Sequence, residues 1–185
     1  REKGLAPLAE LPYAQQPDCP VPEEAAKEYV DEEKGVASVE EALAGASDII
    51  AETISDDADV RKDLRALYNE WADIVSVAAE KNPADTVYRN YYAFTAPVNQ
   101  IQGHQVLAVN RGEKEGVLKG AVELSRDAAL AGVYRRVLKK KCASPAFVEN
   151  AAADAYDRLI APSMEREVRA ALTETASEGA IGQFA

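Results

Sequence analysis

Apolar residues recur at helical spacing along much of the chain, most clearly between residues 60 and 78. Steps of three or four residues separate most of these apolar positions, and charged residues such as Arg61 and Glu70 fall between them. This period places the apolar side chains on one face of an α-helix, so it predicts a helix that ends at Asn82-Pro83. The apolar positions are Val60, Leu64, Leu67, Tyr68, Trp71, Ile74 and Ala78.

Helix start and stop signals divide the region before that helix. A short helix is predicted over residues 5–11, and a second segment begins at Pro22 and ends at Gly35. Ser38 and Glu41 have the spacing of a capping box, which predicts a helix that runs to about residue 54. Ser55-Asp56-Asp57 then marks the start of the helix described above.

Helical signals return in the last third of the chain. Leu130, Val133 and Val137 share one helical face, and Ser144-Pro145 starts a further helix that reaches about residue 160. A last helix is predicted from Pro162-Ser163.

Strand signals are sparse by comparison. Apolar and polar residues alternate over residues 118–124, which predicts a single strand that needs a pairing partner, for which the rest of a longer parent protein is one source. Residues 104–116 fit either a helix or a strand. We therefore predict a mainly α fold: a multi-helix, bundle-like scaffold with at most a short β element near residues 117–124.

The charge of the chain is divided unevenly. Residues 1–85 contain 21 acidic and 8 basic residues, a net charge of −13, whereas residues 86–185 have a net charge of +2. The acidic half should repel phosphate backbones, so any contact with nucleic acid belongs to the near-neutral half or to another part of the protein. No apolar run approaches the length that crosses a bilayer, and the start at Arg1, without Met, suggests a piece of a longer protein.

Catalytic patterns are absent from the sequence. The chain has no Walker glycine loop, no G-x-S-x-G elbow and no H-E-x-x-H, and any hydrolase triad would depend on His104, the single histidine. Cys19 and Cys142 do not form a metal-binding pair, and two reduced thiols in a cytoplasm are favoured over a disulfide. We therefore expect no enzymatic activity, no cofactor and no metal site.

Three segments remain as interaction candidates. The basic run Arg135–Lys141 can contact a phosphate backbone or an acidic partner, although a solvated helix end is the favoured interpretation. The aromatic cluster Tyr88–Phe94 can stack on bases, although packing between helices is favoured. The segment Arg111–Gly116 sets dense charges between two glycines; a tight turn explains the glycines but not the charges.

The segment His104–Leu118 also resembles the H-R-x-L-A-x-x-R-G-E-x-E-G-x-L stretch of the bacterial Tex transcription accessory proteins. Other segments are similar to the same family in the same order: Arg1–Ala9, Glu32–Ala46 and Ala161–Arg169. The resemblance spans essentially the whole chain. Two residues depart from the family's pattern, because Gly103 and Gln105 stand where Ser and Arg usually flank the histidine, which puts any role of that arginine in doubt.

The resemblance implies that residues 1–185 form a helical N-terminal to central region that precedes a YqgF-like nuclease-fold domain. In this family, nucleic-acid binding is attributed largely to a C-terminal S1 domain, and no catalytic residue falls in this stretch. We expect a cytoplasmic, non-catalytic scaffold that positions nucleic-acid-binding modules, with other domains of the parent protein, RNA or DNA and the transcription machinery as partners and no membrane contact. The alternative is a module that binds nucleic acid directly through the basic residues of the second half, residues 86–185. We expect the Arg111–Gly116 turn and the Glu165–Arg169 helix to be sites of interaction or of pairing between helices. The candidate contact residues are Arg111, Lys114, Arg135, Arg136, Lys139, Lys140, Arg166 and Arg169.

Overall fold

The computed structural model describes residues 3–14, 22–138 and 145–182, and within them the fold is mainly α with one small sheet. Short 3-10 turns lie at Lys27–Tyr29, Glu32–Lys34 and Arg89–Tyr91, and a π-helical stretch, Ala155–Ile160, joins the last two helices. The helices are α1 (Ala6–Ala14), α2 (Pro22–Ala26), α3 (Val39–Asp56), α4 (Ala58–Trp71), α5 (Gly103–Lys114), α6 (Arg126–Val137), α7 (Pro145–Asp154) and α8 (Ala161–Gly182). The strands are β1 (Asp73–Ala78), β2 (Ala93–Pro97) and β3 (Leu118–Glu123).

The sheet corrects two of the sequence predictions. The predicted strand near residues 117–124 exists as β3, but its partner lies within the chain: β1 pairs antiparallel with both β2 and β3, in the order β2-β1-β3. The helix predicted to run past Ala78 instead ends at Trp71. Ile74 and Ala78 are four residues apart, a spacing that puts them on one face of a helix and also of a strand, and β-branched Ile74, Val75 and Val77 favour the strand.

The helix ends follow the predicted capping chemistry. The Ser38 hydroxyl accepts a hydrogen bond from the Glu41 N–H (3.2 Å), and the Glu41 carboxylate accepts one from the Ala37 N–H (2.8 Å), one residue before the cap. Asp57 caps α4 through Oδ1, which accepts from the Val60 N–H at 3.0 Å. Gly35 has a φ of +80°, the left-handed conformation that a glycine at a helix end adopts without strain.

The chain divides into two compact units, and each combines two separate stretches of sequence. The first comprises the described residues within 1–63 and 130–161, where α3 packs against α1, α7 and the π-helical stretch. Its core consists of aliphatic side chains, and Leu8, Ile50, Ile54, Val148 and Ile160 are fully buried. Burial of such side chains contributes roughly 1.5–3 kcal/mol each, which makes this helical core the source of the unit's stability.

The second unit comprises the described residues within 64–129 and 162–185, and the division of charge at residue 85 falls inside it. Here α5 packs against β3. Gly112 lies within α5, and a side chain there would meet Leu118 Cδ1 at 2.3 Å, so the glycine permits close packing of helix on strand. The sequence prediction that a tight turn explains both glycines is therefore wrong for Gly112 and confirmed for Gly116, whose φ is +76°.

Candidate functional site

An ion pair between α5 and α8 is the most closely connected polar group in the second unit. Arg169 donates from Nη1 to Glu113 Oε2 (3.0 Å) and from Nη2 to Glu113 Oε1, so that the guanidinium and the carboxylate meet through two parallel hydrogen bonds. The Arg169 and Glu113 side chains are only 25% and 30% exposed. A charge-assisted, bidentate and largely buried pair of this kind is stronger and more directional than a surface ion pair.

Two neutral side chains complete the connection between the helices. Arg169 Nη2 also donates to Asn110 Oδ1 (2.9 Å), and the Asn110 amide donates to the Thr173 hydroxyl (2.8 Å). That hydroxyl in turn donates to the Arg169 carbonyl (2.8 Å). Each of these side chains is therefore held in place by a hydrogen bond to another. We call the cluster the α5–α8 clamp; its members are Asn110, Glu113, Arg169 and Thr173.

The clamp lies over strand β3 at the position of a glycine. A side chain on Gly120 would approach Glu113 Oε1 at 2.9 Å and Arg169 Nη1 at 3.1 Å. Gly120 thus leaves the space that the ion pair occupies. The register sets Ser76 of β1 directly opposite Gly120, and the Ser76 hydroxyl is buried with no hydrogen-bond partner among the described residues.

A second ion pair joins α8 to α4 within the same unit. Arg65 donates from Nε and Nη2 to the two carboxylate oxygens of Glu167, each at 2.9 Å, and this hydrogen bonding raises the pKa of Arg65. Both side chains are nearly half exposed, so the pair contributes less than the clamp does. Glu165, two residues earlier, is partly buried, and burial raises its pKa although the nearby Arg169 acts in the opposite direction.

The other candidate residues have different surroundings. Arg111 and Lys114 at the end of α5 are exposed, as is Arg166 on α8. In the first unit, Arg136 donates two hydrogen bonds to the Asp63 carboxylate (2.9 and 3.0 Å), and exposed Arg135 donates to the Ala131 carbonyl of its own helix. Lys139 and Lys140 lie outside the described residues, as do Cys19 and Cys142.

The clamp joins two of the segments on which the family resemblance rests, since Glu113 lies in 104–118 and Arg169 in 161–169. Residues 18–184 match the model of the family described as "Tex central region-like". The chain belongs to the Tex family. The fold class expected from this resemblance, mainly α, is confirmed.

Individual relatives agree with this assignment. The chain is 38% identical over 187 residues to "Uncharacterized protein YdcI" of Bacillus subtilis, which covers 100% of the chain and 26% of the relative. It is 34% identical to "Protein tex" of Bordetella pertussis over 69% of the chain and 16% of the relative. It is 28% identical to human "S1 RNA-binding domain-containing protein 1" over 82% of the chain and 17% of that protein. The chain thus spans about a quarter or less of the length of these relatives.

The Tex-family segment around His104 adopts a helix, which resolves the ambiguity of residues 104–116. His104 is exposed in the first turn of α5, beside a groove of about 450 Å³ whose walls include Leu107, Leu172 and Ala176. Gln105, which stands where the family usually has an arginine, accepts a hydrogen bond from the Gln102 N–H (3.0 Å). It therefore satisfies a backbone donor at the helix start.

The aromatic segment of this Tex-family chain lies in the connection between β1 and β2 and at the start of β2, and its 3-10 turn packs against these two strands rather than between helices as predicted. Tyr88 is buried; burial raises its pKa, and the hydrogen bond to Glu115 adds to that increase. Tyr91 and Phe94 meet edge to face with ring centroids 5.0 Å apart, and the Tyr92 hydroxyl donates to the Ala84 carbonyl. None of the described helices combines the length and apolar composition that crossing a membrane requires.

No local sequence signal reveals the clamp, because its two charged members are 56 residues apart. The sequence marked Arg111–Gly116 and Glu165–Arg169 as sites of partner interaction or of pairing between helices, and the Arg169 guanidinium is bound to Glu113 of α5. Asn110, Thr173 and Gly120 were not selected. The one available signal was the glycine within the apolar alternation of β3, which is typical of a close approach by another group.

Proposed function

We propose that this chain is a non-catalytic helical scaffold of a Tex-like transcription accessory protein, and that it positions nucleic-acid-binding modules. The observation that supports this best is the use of arginines within each unit. Arg169 and Arg65 bind carboxylates in the second unit, and Arg136 and Arg158 bind Asp63 and Asp154 in the first.

An arginine bound in this way is poorly suited to nucleic acid. Its charge is neutralised by the carboxylate, and two of its five N–H donors are already used. The net charge of −11 adds a general repulsion toward phosphate backbones. Arg169, Arg65 and Arg136 therefore fix one helix to another, which is the property that a scaffold needs, whereas Arg158 binds Asp154 within one helical stretch.

The names of the relatives support the wider part of the proposal. One relative is named "Transcriptional accessory protein Tex" and another "S1 RNA-binding domain-containing protein 1". We propose that the protein containing this chain acts in transcription in the cytoplasm, with RNA or DNA and the transcription machinery as partners, and that nucleic acid is bound outside residues 1–185.

Direct nucleic-acid binding is the second candidate, and a specific observation favours it. Arg111, Lys114 and Arg166 are exposed in the second unit, where they are accessible to a phosphate backbone. Mixed with neighbouring carboxylates such as Glu115, they supply a weaker field than a continuous basic patch would. We therefore place this candidate second.

Fluorescence anisotropy with a labelled 20-nucleotide RNA strand and a labelled 20-base-pair DNA duplex, both at low salt, tests the proposal. The scaffold proposal predicts no saturation at micromolar concentrations of the chain. Sub-micromolar affinity that is lost in an Arg111→Ala/Lys114→Ala/Arg166→Ala variant would establish the second candidate instead. An Arg158→Ala variant is the matched control, because it removes a cation that is bound to Asp154.

A further inference from the structure

The sheet of the second unit has an inner face toward α5 and an outer face that the described residues leave exposed. The register arranges the outer face as three rows of three residues. Strand β1 contributes Val75 and Val77 to this face, and β3 contributes Ala121. Most of the nine residues are exposed. The rows are Pro97-Asp73-Glu123, Thr95-Val75-Ala121 and Ala93-Val77-Lys119, and together they are named the outer face.

The polarity of the outer face is unusual for a surface in water. An antiparallel sheet with one solvated face normally shows apolar residues inward and polar residues outward. In β1 the inward positions carry Ile74 and Ser76, whereas the outward positions after Asp73 carry Val75 and Val77, and Val77 is 45% exposed. The middle of the outer face is therefore apolar, with small side chains that give it little relief.

Large apolar side chains are also exposed in the segments that precede and follow β1. Among the described residues, Trp71, Val77 and Val87 are exposed, and they lie just before, in and after β1. Trp71 is 66% exposed and precedes Asp73 by two residues. Exposed aromatic and apolar side chains of this kind are typical of surfaces that bind another protein element.

Charges mark the two ends of the outer face. Asp73 and Glu123 are directly opposite each other on neighbouring strands, an arrangement of like charges that destabilises a sheet unless a cation is near. Lys119 lies at the other end, opposite Val77. A partner that is basic at one end and acidic at the other would complement both ends.

We infer that the outer face binds one amphipathic helix from a part of the Tex-family protein outside this chain. Three strands span roughly 10 Å from centre to centre, the width of one helix, and three rows span roughly 14 Å, the length of about nine helical residues. The helix places small apolar residues on Val75 and Ala121. Its N-terminal end lies over Asp73 and Glu123, and its C-terminal end lies toward Lys119, because the positive end of the helix dipole then meets the two carboxylates and the negative end meets the cation.

The relatives provide the source of such a helix. The chain spans 26% of the Bacillus subtilis relative and 16% of the Bordetella pertussis relative, so most residues of these proteins lie outside the matched region. The inference rests on the proposed scaffold role, since a scaffold must present a surface to the modules that it positions. The test of this inference measures access to the outer face and not nucleic-acid binding. The inference and the proposed scaffold role can therefore fail independently of each other.

Thiol reactivity measures that access. With Cys19→Ser and Cys142→Ser as background, Val77→Cys is introduced both into this chain and into the full-length protein that contains it, and the rate of reaction with Ellman's reagent is compared. We expect a rate at least tenfold lower in the full-length protein. Val30→Cys is the matched control, an exposed valine of the first unit, and should react equally in both. Ala121→Cys replaces Val77→Cys if circular dichroism shows that the first variant is unfolded.

The charges are tested in the full-length protein. Lys119→Glu and Glu123→Lys should each raise the rate at position 77 toward that of the isolated chain. Equal rates at position 77 in both proteins would overturn the inference. Protection in the isolated chain that grows with its concentration would show that a second copy binds there instead, and protection that neither charge reversal changes would exclude the charge-matched helix.

Discussion

Arg169 of α8 donates hydrogen bonds to both Glu113 and Asn110, which lie nearly one turn apart on α5. One side chain thereby fixes the two helices at a set distance and rotation, and Gly120 leaves the space beneath the pair. The clamp is a largely buried polar contact between two helices of the second unit, so its removal should lower the stability of the fold rather than change a binding reaction.

Arg169→Ala should therefore destabilise the chain. Glu113 would remain largely buried without a partner, so we expect the free energy of unfolding to fall by about 1–3 kcal/mol. Urea denaturation followed by circular dichroism measures this. The control is Arg65→Ala, which breaks a half-exposed pair and should cost only about 0–1 kcal/mol. Equal losses in the two variants would show that burial of the clamp has no effect.

Gly120→Ala should also destabilise the chain, because the new methyl group meets Glu113 and Arg169 at about 3 Å. We expect a loss of about 1–3 kcal/mol in the free energy of unfolding from this overpacking. Gly179→Ala is the matched control: nothing lies within 4 Å of the new methyl group, and alanine is favoured over glycine in a helix by up to about 1 kcal/mol. A smaller cost of Gly120→Ala in a Glu113→Ala background would assign the clash to the clamp.

Ser76 has a buried hydroxyl without a described hydrogen-bond partner. Ser76→Ala removes that hydroxyl at no cost in hydrogen bonds, so we expect a free energy of unfolding that is unchanged or higher by about 1 kcal/mol. The control is Ser125→Ala, since the Ser125 hydroxyl accepts from the Ala128 N–H at the start of α6 and its loss should cost about 1 kcal/mol. A clear destabilisation by Ser76→Ala would indicate an ordered water or an alternative bond at that hydroxyl.

Glu165 predicts a dependence on pH. Burial raises its pKa in the folded chain above the ordinary value of 4.5, so folding favours the protonated carboxyl. The stability that it contributes is present below the unfolded-state pKa and is lost as the pH rises through the folded-state pKa. Glu165→Gln stays neutral, so its unfolding free energy relative to the original chain should increase between pH 3 and pH 7. Glu174→Gln, at an exposed position of α8, is the control, and an equal increase there would contradict the assignment to burial.

Local patterns were sufficient for the parts of the fold that depend on neighbouring residues. The Ser38 cap, the end at Gly35 and the helical period of residues 60–71 all involve contacts within a few positions, and each appeared as predicted. The predicted helix failed beyond Trp71 because Ile74 and Ala78 satisfy the spacing of a strand as well. Their state is decided by pairing with β2 and β3, which lie 15 to 50 residues further along the chain.

The candidate site depends even more on contacts between residues that are far apart in the sequence. Dense charges in 111–116 and 165–169 were visible in the sequence, but nothing local showed that Glu113 and Arg169 bind each other while Arg111, Lys114 and Arg166 stay exposed. The face of a helix that packs against the rest of the unit determines which of its charged side chains form ion pairs. The helical faces follow from the register of α5 on β3, and that register depends on Gly112 and Leu118.

Each unit is built from two separate stretches of sequence, and this order affects how the protein folds during its synthesis on the ribosome. When residue 63 has been made, the first unit still lacks α7, which packs on α3. At about 5–20 residues synthesised per second the next 66 residues take roughly 3 to 13 s, and during that time Ile50 and Ile54 have no completed core. Nascent chains of this protein should therefore engage chaperones soon after α3 emerges and be released only once residues beyond 160 have left the exit tunnel.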